Sequence, residues 1–305
     1  MATASDRPQV LNFVLLANLA AATAAISAGA SVVATRMAVG EIEPVSVALL
    51  RYAVAAPCMA PFLLMGRSGR ERLRGADWCA IAALGALFFG LFPWAFSAAL
   101  EHTTAARGSV GLATIPIVTL LLAAAFGHER LSGLKAVSVV LAFAGVATAI
   151  GPAAIAGTVG PMVLLGDGLM MLAVLCGAGY SAFAGPYLRR FGPLFVTALG
   201  MLFGLALLAL LTSLLGSWQG LPALSARGWA AVIFLGTVGG ALQFALYTWA
   251  LKWIAPSRTA IYLTLNPLSA MALATVLLGE SVTLELLLGF MLVSVGIVLA
   301  NRPRP

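Results

Sequence analysis

The chain has 305 residues, 62% of them hydrophobic and only 9% charged, with a mean hydropathy of +1.05. An ordinary soluble domain carries about 25% charged residues, so no soluble fold could hide this much apolar surface. The net charge of +7 does not point to a nucleic-acid partner, because the basic residues punctuate long charge-poor runs instead of forming one patch.

A helix needs roughly 20 apolar residues to cross a hydrocarbon core of about 30 Å. Ten such runs follow one another, at approximately 12 to 36, 44 to 66, 77 to 100, 105 to 127, 132 to 151, 164 to 188, 193 to 216, 227 to 251, 256 to 278 and 282 to 301. They are too long for β-barrel strands and lack period-two alternation. The expected fold is an all-α polytopic membrane protein with ten transmembrane helices.

At the start of span one Arg7 precedes an apolar stretch and the small residues Ala28 to Ser31 follow, a pattern that resembles a signal peptide. Its removal would leave nine spans and break the repeat described below, so it is kept as the first helix. Span two carries Pro57 and Pro61, and the basic loop from Arg67 to Asp77 that follows reads as a topology anchor near anionic headgroups. Prolines recur at Pro93 in span three, Pro116 in span four, Pro186 in span six and Pro267 in span nine, each removing one backbone donor. A carbonyl freed in this way needs a partner or a watery cavity. Small residues at helix-packing spacing, Ala86 with Gly90, Gly200 with Gly204 and Gly236 with Gly240, predict close backbone approach in spans three, seven and eight. Cys58, Cys79 and Cys176 show no metal-ligand spacing and read as packing residues.

With the N-terminus cytoplasmic, thirteen of the 17 basic residues fall at cytoplasmic ends. Arg36, Arg51, Arg107 and Arg227 remain for the other side. This positive-inside asymmetry predicts that both termini are cytoplasmic.

Residues 99 to 150 lie over residues 250 to 301 without a gap, at an offset of 151, with 11 identities in 52 positions. Leu100 falls on Leu251, Arg107 on Arg258, Pro116 on Pro267, Glu129 on Glu280 and Gly145 on Gly296. Five crossings per copy predict that the second copy, residues 152–305, is inverted relative to the first, residues 1–151, the two together forming one transmembrane domain. The seam is expected in the uncharged stretch from Gly151 to Pro161. Inverted halves place a substrate site near mid-membrane at the repeat interface.

The segment Phe126-Gly127-His128-Glu129-Arg130-Leu131-Ser132 with Gly145-Val146, and its partner Leu278-Gly279-Glu280-Ser281-Val282-Thr283 with Gly296-Ile297, resemble the paired signatures of the EamA-type drug/metabolite transporters. Ala34-Thr35-Arg36, Glu43-Pro44 and Leu50-Arg51-Tyr52 add to the likeness, which covers nearly the whole chain. Within that superfamily the chain most resembles the YddG-type exporters. The resemblance implies export of aromatic amino acids and some cationic compounds from bacterial cells, and a cavity among spans one, three, four, six, eight and nine, with five and ten peripheral.

The ten acidic residues and both histidines lie near span ends or in loops. Proton-coupled pumps usually keep an ionisable group inside the bundle, so binding is expected to rest on neutral amides, aromatic faces and backbone carbonyls, in a passage without permanent charge. Gln243 and Tyr247 share a face of span eight, Phe92 and Phe96 hold the equivalent places in span three, Tyr262 and Asn266 share a face of span nine, and Tyr180 and Phe183 a face of span six; Trp94 completes the candidate substrate-binding set. Pro93, Pro116, Pro186 and Pro267 are the candidate kinks for gating. Glu129 and Glu280 are expected to cap the helix that follows each of them, or to pair with a nearby Arg. No catalytic residue, cofactor or metal site is expected, and the oligomeric state is open. The expected partners are a small-molecule substrate and membrane lipid. The sequence thus reads as a multi-pass exporter of the bacterial inner membrane working by alternating access, with aromatic or neutral amino acids as substrates; the alternative is a cationic drug or a nucleotide-type metabolite.

Overall fold

The computed structural model describes residues 7–65, 73–127, 132–155, 160–218, 224–251, 253–254, 262 and 264–300, and among these every regular element is helical. Seven helices are long and apolar enough to cross a membrane: Phe13–Ala38, Pro44–Leu63, Gly75–His102, Ala105–Ala125, Pro161–Phe183, Pro193–Leu215 and Ala226–Ala250. Three shorter apolar helices, Gly133–Ala149, Leu265–Leu278 and Leu284–Ala300, complete spans one to ten in chain order.

The ends of these helices follow from local chemistry. Prolines open spans six and seven at their first turn, where the missing N–H would have no partner anyway. Thr104 caps the Arg107 amide at 3.2 Å, Ser225 caps Gly228 at 3.1 Å, and Thr283 caps Leu286 at 3.3 Å. Gly216 (φ 70°) and Gly279 (φ 67°) close spans seven and nine in the left-handed conformation that other residues resist. The outer surface exposes large apolar side chains, Leu214 at 73% and Val276 at 79% among them, a face suited to lipid and not to water.

The duplication is visible in element boundaries. The first part of span three, Gly75–Gly85, and that of span eight, Ala226–Gly236, begin and end 151 residues apart. Each passes into one π-helical turn, Ala86–Leu91 and Thr237–Leu242, again at the offset of 151. Contacts between spans repeat under the exchange of one with six, two with seven, three with eight, four with nine and five with ten. Span one packs on span nine as six packs on four, span eight on span one as three on six, span two on seven, and five on ten.

Close approach occurs where glycine permits it. A Cβ on Gly85 would lie 2.6 Å from the Gly200 carbonyl oxygen, and one on Gly236 would lie 2.9 Å from that of Arg51. Spans two and seven both begin with proline, Pro44 and Pro193; counting from these, Arg51 and Gly200 occupy the same place in the two halves.

Three expectations change. Span six ends at Phe183, so Pro186 lies outside it, in the first turn of a separate short helix, Gly185–Phe191. Span five continues as a helix through Gly151 and Pro152 to Ile155, so the start of the expected seam is helical. Glu280 does not cap the helix that follows it, which Thr283 caps: its carboxylate accepts from the amides of Ala105 and Ala106, at 2.9 and 3.1 Å, at the start of span four. Glu129 and Arg258 lie outside the described residues.

Candidate substrate cavity

Span three meets span eight where Phe88 and Phe89 of its π turn lie against Phe244, just past the π turn of span eight, and spans four and nine bring their prolines to the same region. Span four is interrupted: one helix ends at Leu112, Ala113 and Thr114 form a turn, and a second helix starts at Ile115 with Pro116 in its first turn. In span nine the helix Leu265–Leu278 begins beside Asn266 and Pro267. Non-helical backbone is tolerated at membrane depth only where protein buries it or a watery cavity meets it. A cavity of about 300 Å³ lies there, lined by residues including Leu112, Ala113, Ile115, Pro116, Asn266 and Pro267.

Its walls are mostly apolar and aromatic. Phe88, Phe92 and Phe96, each one turn apart on span three, form a ladder of rings with centroids 5.3 and 5.9 Å apart. Tyr180 extends the ladder behind the wall, stacking on Phe88 at 4.4 Å. Phe244 meets Phe88 edge-on at 6.2 Å, and Tyr247 lines the same side. Such pairs hold the rings in fixed orientations.

Few polar groups interrupt this surface, and three of them have an atom without a hydrogen-bond partner: Arg51 Nε, Gln243 Oε1 and Asn266 Oδ1. Ser31 bonds within its own helix, to the Ser27 carbonyl at 2.8 Å. Arg51 comes from span two, seven residues after Pro44, which is about 10 Å along the helix. Its side chain reaches the π turn of span eight, where Nη2 donates to the Gly239 carbonyl at 2.9 Å. Arg51 is only 9% exposed. The expected passage without permanent charge is therefore corrected: Arg51 puts a fixed cation in its wall, span two joins the spans that the resemblance implied, and span ten, expected to be peripheral, reaches the cavity through Ile297.

The structure brings together seven of the residues singled out in the sequence, Gln243, Tyr247, Asn266, Phe92, Phe96, Pro116 and Pro267. Others stand elsewhere. Tyr262 donates its hydroxyl to Asn18 Oδ1 at 3.0 Å, tying span nine to the start of span one. Phe183 packs edge-on against Phe126 at 5.0 Å. Trp94 wedges between two apolar clusters, and Pro93 is buried just after the π turn of span three. Beyond Arg51, the cavity also takes in Phe88 and Phe244, outside the candidate set above, whose sequence signal is their place one turn from Phe92 and one residue from Gln243.

Charged groups at the span ends serve as anchors. Arg107 forms a two-pronged pair with Asp167 of span six, at 2.6 and 3.1 Å. At another span end, Asp77 accepts from the Arg74 amide at 2.9 Å and from Arg190 at 3.0 Å. Glu41, just past span one, accepts from the Ser225 amide and hydroxyl, both at 2.8 Å, which together hold its carboxyl below the usual range.

The pattern of the EamA-like transporter family matches this chain twice, over residues 15–151 and 164–302. The chain belongs to that family. Relatives span nearly its whole length: an uncharacterized transporter of Archaeoglobus fulgidus is 25% identical over 277 residues, 90% of this chain and 95% of its own. A probable terminal-alkyne amino-acid exporter of Streptantibioticus cattleyicolor is 29% identical over 257 residues, 83% of this chain and 82% of its own. A solved crystal structure aligns with a TM-score of 0.64 at 21% identity, covering 93% of this chain and 96% of that one, which extends the likeness to the fold. The protein is thus a membrane transporter and not an enzyme.

Proposed function

We propose that this chain exports small metabolites, aromatic and other neutral amino acids above all, by alternating access through the cavity between two inverted five-span halves. The observation that carries the reading is the cavity itself. It sits where the turn in span four and the proline-bearing start of the helix Leu265–Leu278 in span nine meet the π turn of span three and the residues that follow the π turn of span eight, so corresponding elements of both halves converge on one place. Paired irregularities at corresponding positions suit a passage that opens alternately at each end. A volume of about 300 Å³ with an aromatic ladder suits a molecule of amino-acid size better than a nucleotide conjugate. Arg51 in the wall disfavours a cationic drug. The Streptantibioticus relative, named as an amino-acid exporter, supports the same substrate class. In this reading the protein lies in a bacterial inner membrane with both termini cytoplasmic, close in kind to the YddG-type exporters.

The test is exchange in liposomes. Protein reconstituted into vesicles preloaded with unlabelled phenylalanine takes up labelled phenylalanine, and Gln243→Ala and Asn266→Ala slow the exchange. Absence of exchange across a broad amino-acid panel would remove this substrate class.

A further inference from the structure

Resting on the reading of this cavity as an amino-acid site, we infer that Arg51 is its carboxylate-binding residue. The free amide oxygens of Gln243 and Asn266 receive the substrate's ammonium group.

The cavity wall carries an unbalanced charge. A guanidinium removed from water is costly unless opposed by an anion or fully hydrogen-bonded. Arg51 is 9% exposed, donates through Nη2 to one neutral carbonyl, and leaves Nε without an acceptor. No Asp, Glu or His is among the described residues lining the cavity. The aromatic face of Tyr52, 5.6 Å from the guanidinium, supplies weak compensation. Packing does not call for the charge: the corresponding place in span seven is Gly200, which makes the same close backbone contact with no side chain. A cation in one half of a duplicated fold, lining the cavity and short of an acceptor, is matched by a ligand that brings its own carboxylate. The guanidinium fork suits that group's planar geometry.

The two amides supply the other half. Gln243 Oε1 and Asn266 Oδ1 are buried acceptors without donors, on spans eight and nine, and leaving them unmade is unfavourable. A primary ammonium group offers three donors and fits such a pair. The aromatic rungs of span three leave an apolar wall for the side chain. The three elements specify a zwitterion with an apolar or aromatic side chain.

The test measures competition against labelled phenylalanine in proteoliposomes, using phenylalanine, its amide lacking the carboxylate, and 3-phenylpropionate lacking the amine. A hydrogen bond to a charged partner contributes about 1.5–3 kcal/mol, so the wild-type protein prefers the free acid over the amide by roughly 10- to 100-fold. Arg51→Gln reduces that preference to near unity, and Arg51→Lys, which keeps the charge without the fork, leaves part of it. Gln243→Ala with Asn266→Ala reduces instead the preference for phenylalanine over 3-phenylpropionate. If the wild-type protein takes acid and amide equally, or if Arg51→Gln retains the preference, Arg51 is not the carboxylate site and the transport reading stands. If chloride alone protects the substrate-free protein from thermal unfolding and phenylalanine adds nothing, the cation holds an inorganic ion and the inference falls. If no amino acid is exchanged at all, the functional reading fails first.

Discussion

Spans five and ten offer the sharpest test of packing, because the duplicated glycines meet them in exchanged register. Gly145 faces Gly289 and Val293, while its counterpart Gly296 faces Ser138 and Ala142, the positions 151 residues earlier. A Cβ on Gly145 would lie 2.6 Å from the Gly289 carbonyl oxygen, whereas ordinary contact begins near 3.4 Å. Gly145→Ala therefore forces the helices apart by roughly 0.8 Å, a gap that forfeits a quarter to a half of the local dispersion attraction. Overpacking of this kind costs about 1–3 kcal/mol. The corresponding Cβ on Gly296 would lie 2.8 Å from the Ser138 oxygen, so its cost is similar but smaller. Gly168, on the exposed face of span six with nothing within 4 Å of an added Cβ, supplies the reference. There the same change gains about 0.5–1 kcal/mol from helix propensity alone. Reversible unfolding in mixed micelles should rank Gly168→Ala as most stable, then Gly296→Ala, then Gly145→Ala. Equal stability of all three would refute the close contact between spans five and ten.

Glu280→Ala removes the acceptor for two amides at the start of span four, and unfolding measurements should show a loss of about 0.5–2 kcal/mol. Glu280→Gln should retain part of that stability. A double-mutant cycle on Arg107 and Asp167, whose side chains are both 17% exposed, should return a coupling on the order of 1 kcal/mol, above that of a fully solvated pair. Glu41 titrates below its ordinary value of 4.5 because Ser225 hydrogen-bonds its ionised form. Its stabilisation is therefore complete above that value and is lost as pH falls through the lower folded-state value. Ser225→Ala should flatten this acid limb in a stability-versus-pH series; an unchanged limb would show that the contact does not hold the carboxylate.

The fold was legible in the sequence because hydrophobic length and duplication are linear signals: apolar runs bounded by charge and proline became spans, and the offset of 151 reappeared in the helix boundaries. Pro116 and Pro267 were legible for the same reason, since a missing donor has one local effect. The π turns were not. Pro93 follows the first, but the second has Gly239 and Gly240 instead, so different residues produce the same local geometry. Arg51 was counted with the charges of the aqueous side, although it lies well inside an apolar run that begins at Pro44, a depth at which an ionisable residue is better read as functional. What brings it to the cavity is the approach of span two to Gly236 and the π turn of span eight, a tertiary contact with no sequence periodicity. Tyr180 and Phe183 share a helix face, yet Phe183 turns to Phe126 near the end of span four and Tyr180 backs the aromatic ladder. Helical spacing identifies a face without saying what that face meets.

The central claim is that one cavity between inverted halves is reached alternately from the two sides of the membrane. With Cys58, Cys79 and Cys176 replaced by Ser, Ala28→Cys in the cavity wall can be labelled with a small membrane-impermeant thiol reagent, applied to right-side-out and then to inside-out vesicles. Labelling from both sides, slowed from each by phenylalanine, is the predicted result. Labelling confined to one side with and without phenylalanine would contradict it.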